Sequence, residues 1–122
     1  ACSAQVARQL SRFPDTVPLV LEPDVNFFKR IATQEQETAR QFLSKKRFAV
    51  SREWTVAQFM QSVRQKLRLP SAYAMFLFVS REPEDNVLPC NSSTMEEVYA
   101  EHADPSNGIL WVTLVVERTF GA

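Results

Sequence analysis

Residues 55–67 read TVAQFMQSVRQKL, and this stretch decides which fold the chain around it indicates. Its apolar side chains recur at steps of three and four residues, which is typical of one buried face of a helix. Thr55 and Gln58 form a T-x-x-Q capping box at its start, and Pro70 stops it. The sequence therefore predicts a helix whose inward face consists of Val56, Phe59, Met60, Val63 and Leu67.

Apolar stretches on both sides of this helix predict strands. Residues 17–22 (VPLVLE) and 47–51 (RFAVS) precede the helix, and residues 75–79 (MFLFV) and 109–117 follow it. A second capping box at residues 94–97 (TMEE) predicts a short helix between the last two strands. The order strand, strand, helix, strand, short helix, strand indicates an α+β fold, with the long helix across one face of a mixed sheet.

Two segments lie outside this order. The connection formed by residues 23–44 is longer than a compact domain usually carries without structure or function. Its part 33–42 (TQEQETARQF) is polar and compatible with a helix but offers little apolar surface. We therefore expect an exposed insertion that is partly helical. Residues 81–86 (REPEDN) form a second, acidic loop.

The composition excludes several classes of function. The 122 residues suffice for one domain, and 14 basic side chains balance 14 acidic ones, so no overall charge attracts nucleic acid or an anionic membrane. Gly108 and Gly121 provide no phosphate-binding loop, and Cys2 and Cys90 belong to no metal-binding cluster or disulfide scaffold. We expect no cofactor, no metal, a reducing compartment and no membrane-spanning segment, since the longest apolar stretch is residues 109–116.

The charges are segregated along the chain although they balance overall. Residues 44–69 carry seven Lys or Arg side chains and one acid, Glu53, whereas residues 80–107 carry seven acids and one Arg. One interpretation is two solvated faces without a partner. The other is a basic face, built by the second strand and the long helix, that receives an acidic partner. Nucleic acid is the less favoured partner, because only Phe48 and Trp54 add exposed aromatic side chains.

Candidate catalytic residues are few. His102 is the one histidine and lies at the end of the predicted short helix, where a histidine commonly caps carbonyl groups. Cys90 lies in a loop and has no base nearby in sequence. We therefore expect no active site and no enzymatic activity. An unrelated α+β enzyme that uses Cys90 and His102 is kept as an alternative.

The end of the chain suggests a different role. The last predicted strand ends at Glu117, and residues 118–122 (RTFGA) follow it. One interpretation is a frayed terminus. The other depends on Gly121, because glycine has no Cβ and suits positions where the backbone passes close to another surface. A tail with this glycine on a small α+β fold suggests a substrate of other enzymes.

Seven short blocks, spread over residues 13–121, follow one another in an order typical of one protein family. They are FPDTVP (13–18), KKRFAV (45–50), TVAQF (55–59), FLFV (76–79), TMEEVYAEH (94–102), LWV (110–112) and Phe120-Gly121. In these blocks the chain resembles the ubiquitin-like modifiers of autophagy, of the GABARAP type. Each block alone is weakly specific, and the ordered set is highly specific.

The resemblance implies a ubiquitin-like β-grasp fold, with a four-stranded mixed sheet and a long helix across one face. It implies a short helical extension over residues 1–12, a ubiquitin-like domain over residues 13–117 with an insertion at 23–44, and a conjugation tail over residues 118–122. Only twelve residues precede Phe13, so we expect the first of the family's two N-terminal helices to be absent.

The resemblance also implies a function. In this family a cysteine protease exposes a C-terminal Gly, and activating and carrier enzymes join that Gly to phosphatidylethanolamine on autophagosomal membranes. By similarity Gly121 is the conjugated residue and Ala122 the removed one. The implied locations are the cytoplasm and the autophagosome membrane, and no nucleic acid is involved. The alternative is a ubiquitin-fold adaptor that binds peptides and is never conjugated.

Family members bind short acidic peptides of aromatic-x-x-aliphatic type from cargo receptors, and such a peptide can add as a strand to an exposed sheet edge. Carried over by position, the pocket for the aromatic anchor uses Pro18, Val20, Arg47 and Ile109. The pocket for the aliphatic anchor uses Phe48, Val50, Trp54, Phe59 and Val63, with Lys66 on its rim and Lys46 beside the groove. Ala49, Ser51 and Ser62 depart from the family's usual larger residues, so we expect altered pockets in a divergent paralogue.

Overall fold

The computed structural model of the protein describes residues 4–80 and 86–118. Cys2, Gly121, Ala122 and most of the predicted acidic loop lie outside these residues. The elements are α1 (Ala4–Arg12), β1 (Thr16–Pro23), α2 (Phe27–Arg30), α3 (Thr33–Leu43), β2 (Arg47–Ser51), α4 (Val56–Leu67), β3 (Tyr73–Ser80), β4 (Asn86–Val87), α5 (Met95–His102) and β5 (Leu110–Arg118).

Helix α4 confirms the long helix predicted from the sequence. The Thr55 hydroxyl accepts a hydrogen bond from the Gln58 N–H at 3.2 Å, and the Gln58 side chain accepts one from the Thr55 N–H at 2.8 Å. The helix ends before Pro70 because Arg68 is left-handed, with φ 55°, and its N–H donates to the Gln65 carbonyl. Met60 of the predicted inward face is partly buried, and the fully buried positions are Val56, Phe59, Val63 and Leu67.

The strands form one mixed sheet in the order β2-β1-β5-β3-β4. Strands β1 and β5 are parallel at its centre, and the other neighbouring pairs are antiparallel. The four-stranded expectation is wrong by one strand, because β4 pairs Val87 with Val79 and Asn86 with Ser80. Two residues are too few to show an alternating pattern in the sequence, so β4 was not predictable in this way.

Strand β1 is buried on both faces of the sheet. Val17, Leu19 and Leu21 point into the main core, which α4 and α5 help to close. Val20, between them, packs with Val6 of α1 and with Ile109 on the opposite face. This double burial explains why the sequence of β1 is a continuous apolar run.

The insertion at residues 23–44 is part of the main core, so the expectation that it is exposed is wrong. It forms α2 and α3, and it buries Phe27, Ile31, Ala39 and Leu43 against the same core as α4. The two helices are also joined by a hydrogen bond of 2.9 Å from the Gln36 amide to the Phe28 carbonyl. The burial of the insertion was not predictable from the sequence, because α2 is only four residues long and α3 buries a narrow stripe in which Ala39 is small.

Helix α5 confirms the second capping box. The Thr94 hydroxyl accepts from the Glu97 N–H at 3.1 Å, and the Glu97 carboxylate accepts from the Thr94 N–H at 3.0 Å. The Thr94 hydroxyl also donates to the Glu97 carboxylate, at 3.0 Å. The Thr94 N–H first, and this hydroxyl second, lower the pKa of the Glu97 carboxyl. Tyr99 then fixes the loop after the helix, because its hydroxyl donates to the Gly108 carbonyl at 2.7 Å.

If the insertion belongs to the core, removing its central side chain must destabilise the whole protein. Phe27 is 1% exposed, so we expect Phe27→Ala to lower the free energy of unfolding by about 3–5 kcal/mol. Val25 lies in the same connection and is 87% exposed, so Val25→Ala should change it by less than about 0.5 kcal/mol. Urea unfolding measures both values. Equal, small effects would contradict the assignment of the insertion to the core.

Candidate peptide-binding groove

Strand β2 lies at one edge of the sheet and pairs only with β1 among the described strands. The Lys46 carbonyl accepts from the Leu21 N–H at 2.8 Å, and the Arg52 N–H donates to the Asp15 carbonyl at 2.9 Å. The backbone N–H and C=O groups of successive residues in a strand point to opposite sides. Those of the even-numbered residues of β2 therefore face β1, and those of Ala49 face the open edge. An open edge of this kind can accept an added strand.

The residues predicted for the aromatic anchor come together on the α1 side of this edge. Pro18, Val20, Arg47 and Ile109 line one cavity, together with Leu19 and two residues of α1, Val6 and Gln9. Its volume is about 10 Å³, which is the space of one water molecule. The structure therefore brings the predicted residues together around a pocket that α1 fills. We call it the α1 pocket.

The α1 pocket has three lining residues that the sequence reasoning missed: Val6, Gln9 and Leu19. Val6 is buried and contacts Val20 and Ile109, with Leu10 and Trp111 packed around them. The spacing of Val6 and Leu10 by one helical turn was the available signal. Among the described residues, the Gln9 side-chain Nε2 is a buried donor without a hydrogen-bond partner. Such a donor is costly, so this position suits an acceptor group from a bound molecule.

The residues predicted for the aliphatic anchor come together on the other side of β2, against α4. Phe48, Val50, Trp54, Phe59, Val63 and Lys66 line a second cavity of about 350 Å³. Phe42 and Lys45, near the end of α3, complete its wall, and Ala49, Ser51 and Ser62 also line it. The Phe42 and Phe48 rings are 5.2 Å apart. We call this cavity the α4 pocket.

The basic side chains are arranged differently from the expectation at one position. Arg47 lines the α1 pocket and Lys66 lines the α4 pocket, as predicted. Lys46 lines neither pocket, because it takes a left-handed conformation with φ 58° at the turn before β2. Lys45 takes its place at the α4 pocket.

In the described part of the chain, an ion pair joins the basic stretch to the acidic stretch. Arg52, from the basic stretch, lies 3.8 Å from the Glu96 carboxylate of α5. Arg52 also lies over the Tyr99 ring, 5.7 Å from its centroid. The side chains of Lys45, Arg47 and Lys66, beside the two pockets, are exposed.

Cys90 and His102 do not form a catalytic pair in the described residues. The Cys90 Sγ is exposed and lies 3.2 Å from the Ser92 hydroxyl, whose hydrogen bond lowers the pKa of the thiol. His102 is partly buried in the last turn of α5, with its Nε2 3.8 Å from the Glu101 carboxylate. Over residues 4–80 and 86–118, no cluster of three His, Cys, Asp or Glu residues is arranged to hold a metal. In the same residues no helix has the length and apolarity to cross a bilayer.

The whole chain is similar to proteins of autophagy. The family model described as Autophagy protein Atg8 ubiquitin like matches residues 2–121. The chain belongs to the Atg8 family. The family expected from the seven sequence blocks is therefore confirmed. The expected process, autophagy, and the expected class, ubiquitin-like modifiers, are confirmed with it.

Individual Atg8 relatives match over nearly the full chain. Autophagy-related protein 8e of Arabidopsis thaliana is 31% identical over 119 residues, which cover 98% of this chain and 84% of the relative. Autophagy-related protein 8 of Mycosarcoma maydis is 30% identical over 118 residues, covering 97% and 86%. The crystal structure of Trypanosoma brucei ATG8 matches with a TM-score of 0.70 and 25% identity, covering 97% of this chain and 87% of that one. The β-grasp fold is thereby confirmed as the Atg8 fold.

Because Cys90 and His102 make separate local contacts, neither is expected to take part in chemistry. We expect Cys90→Ser and His102→Gln each to leave the proteolytic processing and lipid conjugation that the resemblance implies within about threefold of the parent protein in a reconstituted reaction. A loss of a thousandfold in any assayed reaction, with the fold intact by circular dichroism, would contradict this and favour the enzyme alternative.

Proposed function

We propose that this Atg8-family protein is a ubiquitin-like modifier that is joined through Gly121 to phosphatidylethanolamine on autophagosomal membranes. In this proposal the groove along β2 recruits cargo receptors and autophagy machinery from the cytoplasm. The observation that carries the peptide-binding part of this proposal is the open edge of β2, set between two apolar pockets and accompanied by exposed Lys45, Arg47 and Lys66. The modifier itself catalyses no reaction in this proposal.

The position of Gly121 supports conjugation through this residue. The family match continues to residue 121, and β5, the strand that leads to it, ends at Arg118. The strand lies at the centre of the sheet, so the residues after Arg118 leave from a rigid element. An activating enzyme must reach the glycine carboxylate through a channel that admits little more than backbone, which a residue without Cβ allows. A cysteine protease first removes Ala122.

The groove is suited to short acidic peptides. A peptide added to β2 gains a few main-chain hydrogen bonds, each of about 0.5–1.5 kcal/mol net. Two buried anchors add about 1.5–3 kcal/mol each. Association and ordering cost several kcal/mol, so we expect a dissociation constant of about 1 μM, equivalent to about −8 kcal/mol. Lys45, Arg47 and Lys66 add an attraction for acidic residues beside the anchors, and this attraction is sensitive to salt.

The alternative is an adaptor of the same fold that binds peptides but is never conjugated. The open edge and the pockets favour both hypotheses equally, and only the fate of the C-terminus separates them. Intact-mass analysis after incubation with the autophagy cysteine protease distinguishes the two. The modifier loses the residue after Gly121, whereas the adaptor keeps its mass.

The first prediction concerns Gly121. Gly121→Ala should leave the fold unchanged and abolish membrane attachment, because the added methyl group obstructs transfer of the carboxyl group between enzymes. Ala122→Ser is the matched control and should be processed and conjugated like the parent. Gel migration and membrane flotation of cell extracts measure both. A membrane-bound, faster-migrating form of the Gly121 variant would show that the modifier proposal is wrong.

The second prediction concerns the charges of the groove. Arg47→Glu combined with Lys66→Glu should weaken an acidic aromatic-x-x-aliphatic peptide by about tenfold or more, because both side chains are exposed beside the pockets. Raising the salt from about 0.05 M to 0.5 M should lower the affinity of the parent protein for this peptide several-fold. Its affinity for a neutral peptide should stay nearly unchanged.

The matched control reverses two charges that line neither pocket. Lys29→Glu combined with Arg12→Glu makes the same change in net charge, and neither residue lines the α1 or the α4 pocket. Titration calorimetry should give this control an affinity within about twofold of the parent. If the groove variant binds as tightly as the control, the peptide does not bind along β2.

A further inference from the structure

The end of β5, from which the C-terminal tail continues, extends beyond its parallel neighbour β1. The pairing of these two strands ends with Pro23 opposite Leu114, and the Asp24 N–H donates to the Leu114 carbonyl at 2.8 Å. Among the described strands, residues 115–118 pair with β3 alone. The part of β5 nearest to the tail therefore lacks a strand on its β1 side.

Arg30 of the insertion helix α2 takes the place of the missing strand. Backbone groups of successive residues point to opposite sides of a strand, so the Val116 carbonyl faces the β1 side, like the carbonyl of Leu114. The Arg30 Nη1 donates to the Val116 carbonyl at 3.1 Å and lies 3.8 Å from the Glu117 carboxylate. Because Val116 is 0% exposed, a donor from the protein rather than bulk water satisfies this carbonyl.

A second connection joins the insertion to the last described residue. The N–H of Ala32, shortly after α2, donates to the Tyr73 hydroxyl at 3.0 Å. The Arg118 guanidinium donates to the same hydroxyl at 3.4 Å and lies 5.5 Å from the centroid of the Tyr73 ring. Helix α2 is itself fixed to the core by the buried Phe27. The insertion therefore holds the end of β5 at two points, Val116 and Arg118.

This anchoring determines how far Gly121 can lie from the folded domain. Gly121 is the third residue after Arg118, so its distance from Arg118 is at most about 10 Å. If β5 were released as far back as Leu114, Gly121 would be the seventh residue of a free tether with a reach of about 25 Å. For an enzyme that binds the domain, the effective concentration of the glycine falls roughly as the −3/2 power of tether length, which is about fourfold between these two cases.

We propose that Arg30 is a positioning residue for the reactions at Gly121. It holds the end of β5 in place, so that the processing protease and the activating enzyme meet the glycine at a short, fixed distance from the domain. This inference rests on the proposed conjugation through Gly121 and gives the insertion a part in it. Arg30 takes no part in bond cleavage, in which water hydrolyses the amide bond after Gly121, leaving the Gly121 carboxylate and releasing Ala122 as a free amine.

Steady-state processing by the autophagy cysteine protease, followed by intact mass, tests this role. Arg30→Met removes the guanidinium, and Lys29→Met is the matched control, because it removes the same charge from the exposed neighbouring position of α2. Arg30→Met should lower kcat about two- to fourfold and leave KM within about 1.5-fold, since the tail is displaced while the affinity of the domain is not changed. Lys29→Met should match the parent protein, and Arg30→Lys, which keeps a charged donor, should recover most of the lost rate.

The outcomes separate this inference from the proposed function. Equal kcat values for Arg30→Met and Lys29→Met, or a change in KM alone, would overturn the positioning role while leaving processing at Gly121 in place. If the parent protein is not processed at all, the proposed function and the positioning role are both wrong.

Two further measurements do not depend on the processing rate of Arg30→Met. Inserting Gly-Ser-Gly-Ser between Arg118 and Thr119 lengthens the tether to seven residues with Arg30 intact, and it should lower kcat about fourfold. Amide hydrogen exchange of Arg30→Met should be about tenfold faster at residues 116–118 and within about twofold of the parent at residues 112–114, because only the end of β5 loses its anchor. Unchanged exchange at residues 116–118, or an unchanged kcat of the lengthened protein, would overturn the inference.

Discussion

The burial of β1 on both faces of the sheet is the constraint on which the rest of the structure depends. Leu19 and Leu21 require a cover on one face, and α4, with the insertion helices, provides it. Val20 requires a cover on the other face, and Val6 of α1 provides it. Strand β1 also has a hydrogen-bonded neighbour on each side, with β2 antiparallel on one side and β5 parallel on the other. The short β2 is left at the edge of the sheet.

The candidate groove is a consequence of this arrangement. Because both faces of the sheet are covered, an apolar cluster lies on each side of β2. The elements that cover the two faces determine the volume of the cavity that remains on each side. On one side Val6 leaves room for about one water molecule, and on the other the residues of α3, β2 and α4 leave a cavity of about 350 Å³. The elements that stabilise the sheet therefore also determine the shape of the site.

Local signals predicted much of the fold. The capping boxes that begin at Thr55 and Thr94 placed the starts of α4 and α5, because a side chain that bonds the backbone three residues away acts without tertiary context. Alternation and apolar runs placed four of the strands. The seven blocks of sequence gave the family, and position-by-position comparison assembled nearly the correct lining of both pockets. Leu67 was the last residue of the predicted stripe and is the last residue of α4, and the left-handed Arg68 ends the helix there, before Pro70.

The sequence by itself determined the family, the order of the main elements and the residue types that surround the edge of β2. Only the tertiary structure decided that β4 adds a fifth strand, that the insertion at residues 23–44 enters the core, and that α1 fills one pocket while α3 helps to build the other. The reason is physical. A capping box or a helical stripe is encoded within a few neighbouring residues, whereas the volume of a pocket depends on side chains from distant segments that meet only after folding. Val6 and Ile109 are more than one hundred positions apart in the chain, and their contact cannot be read from either segment alone.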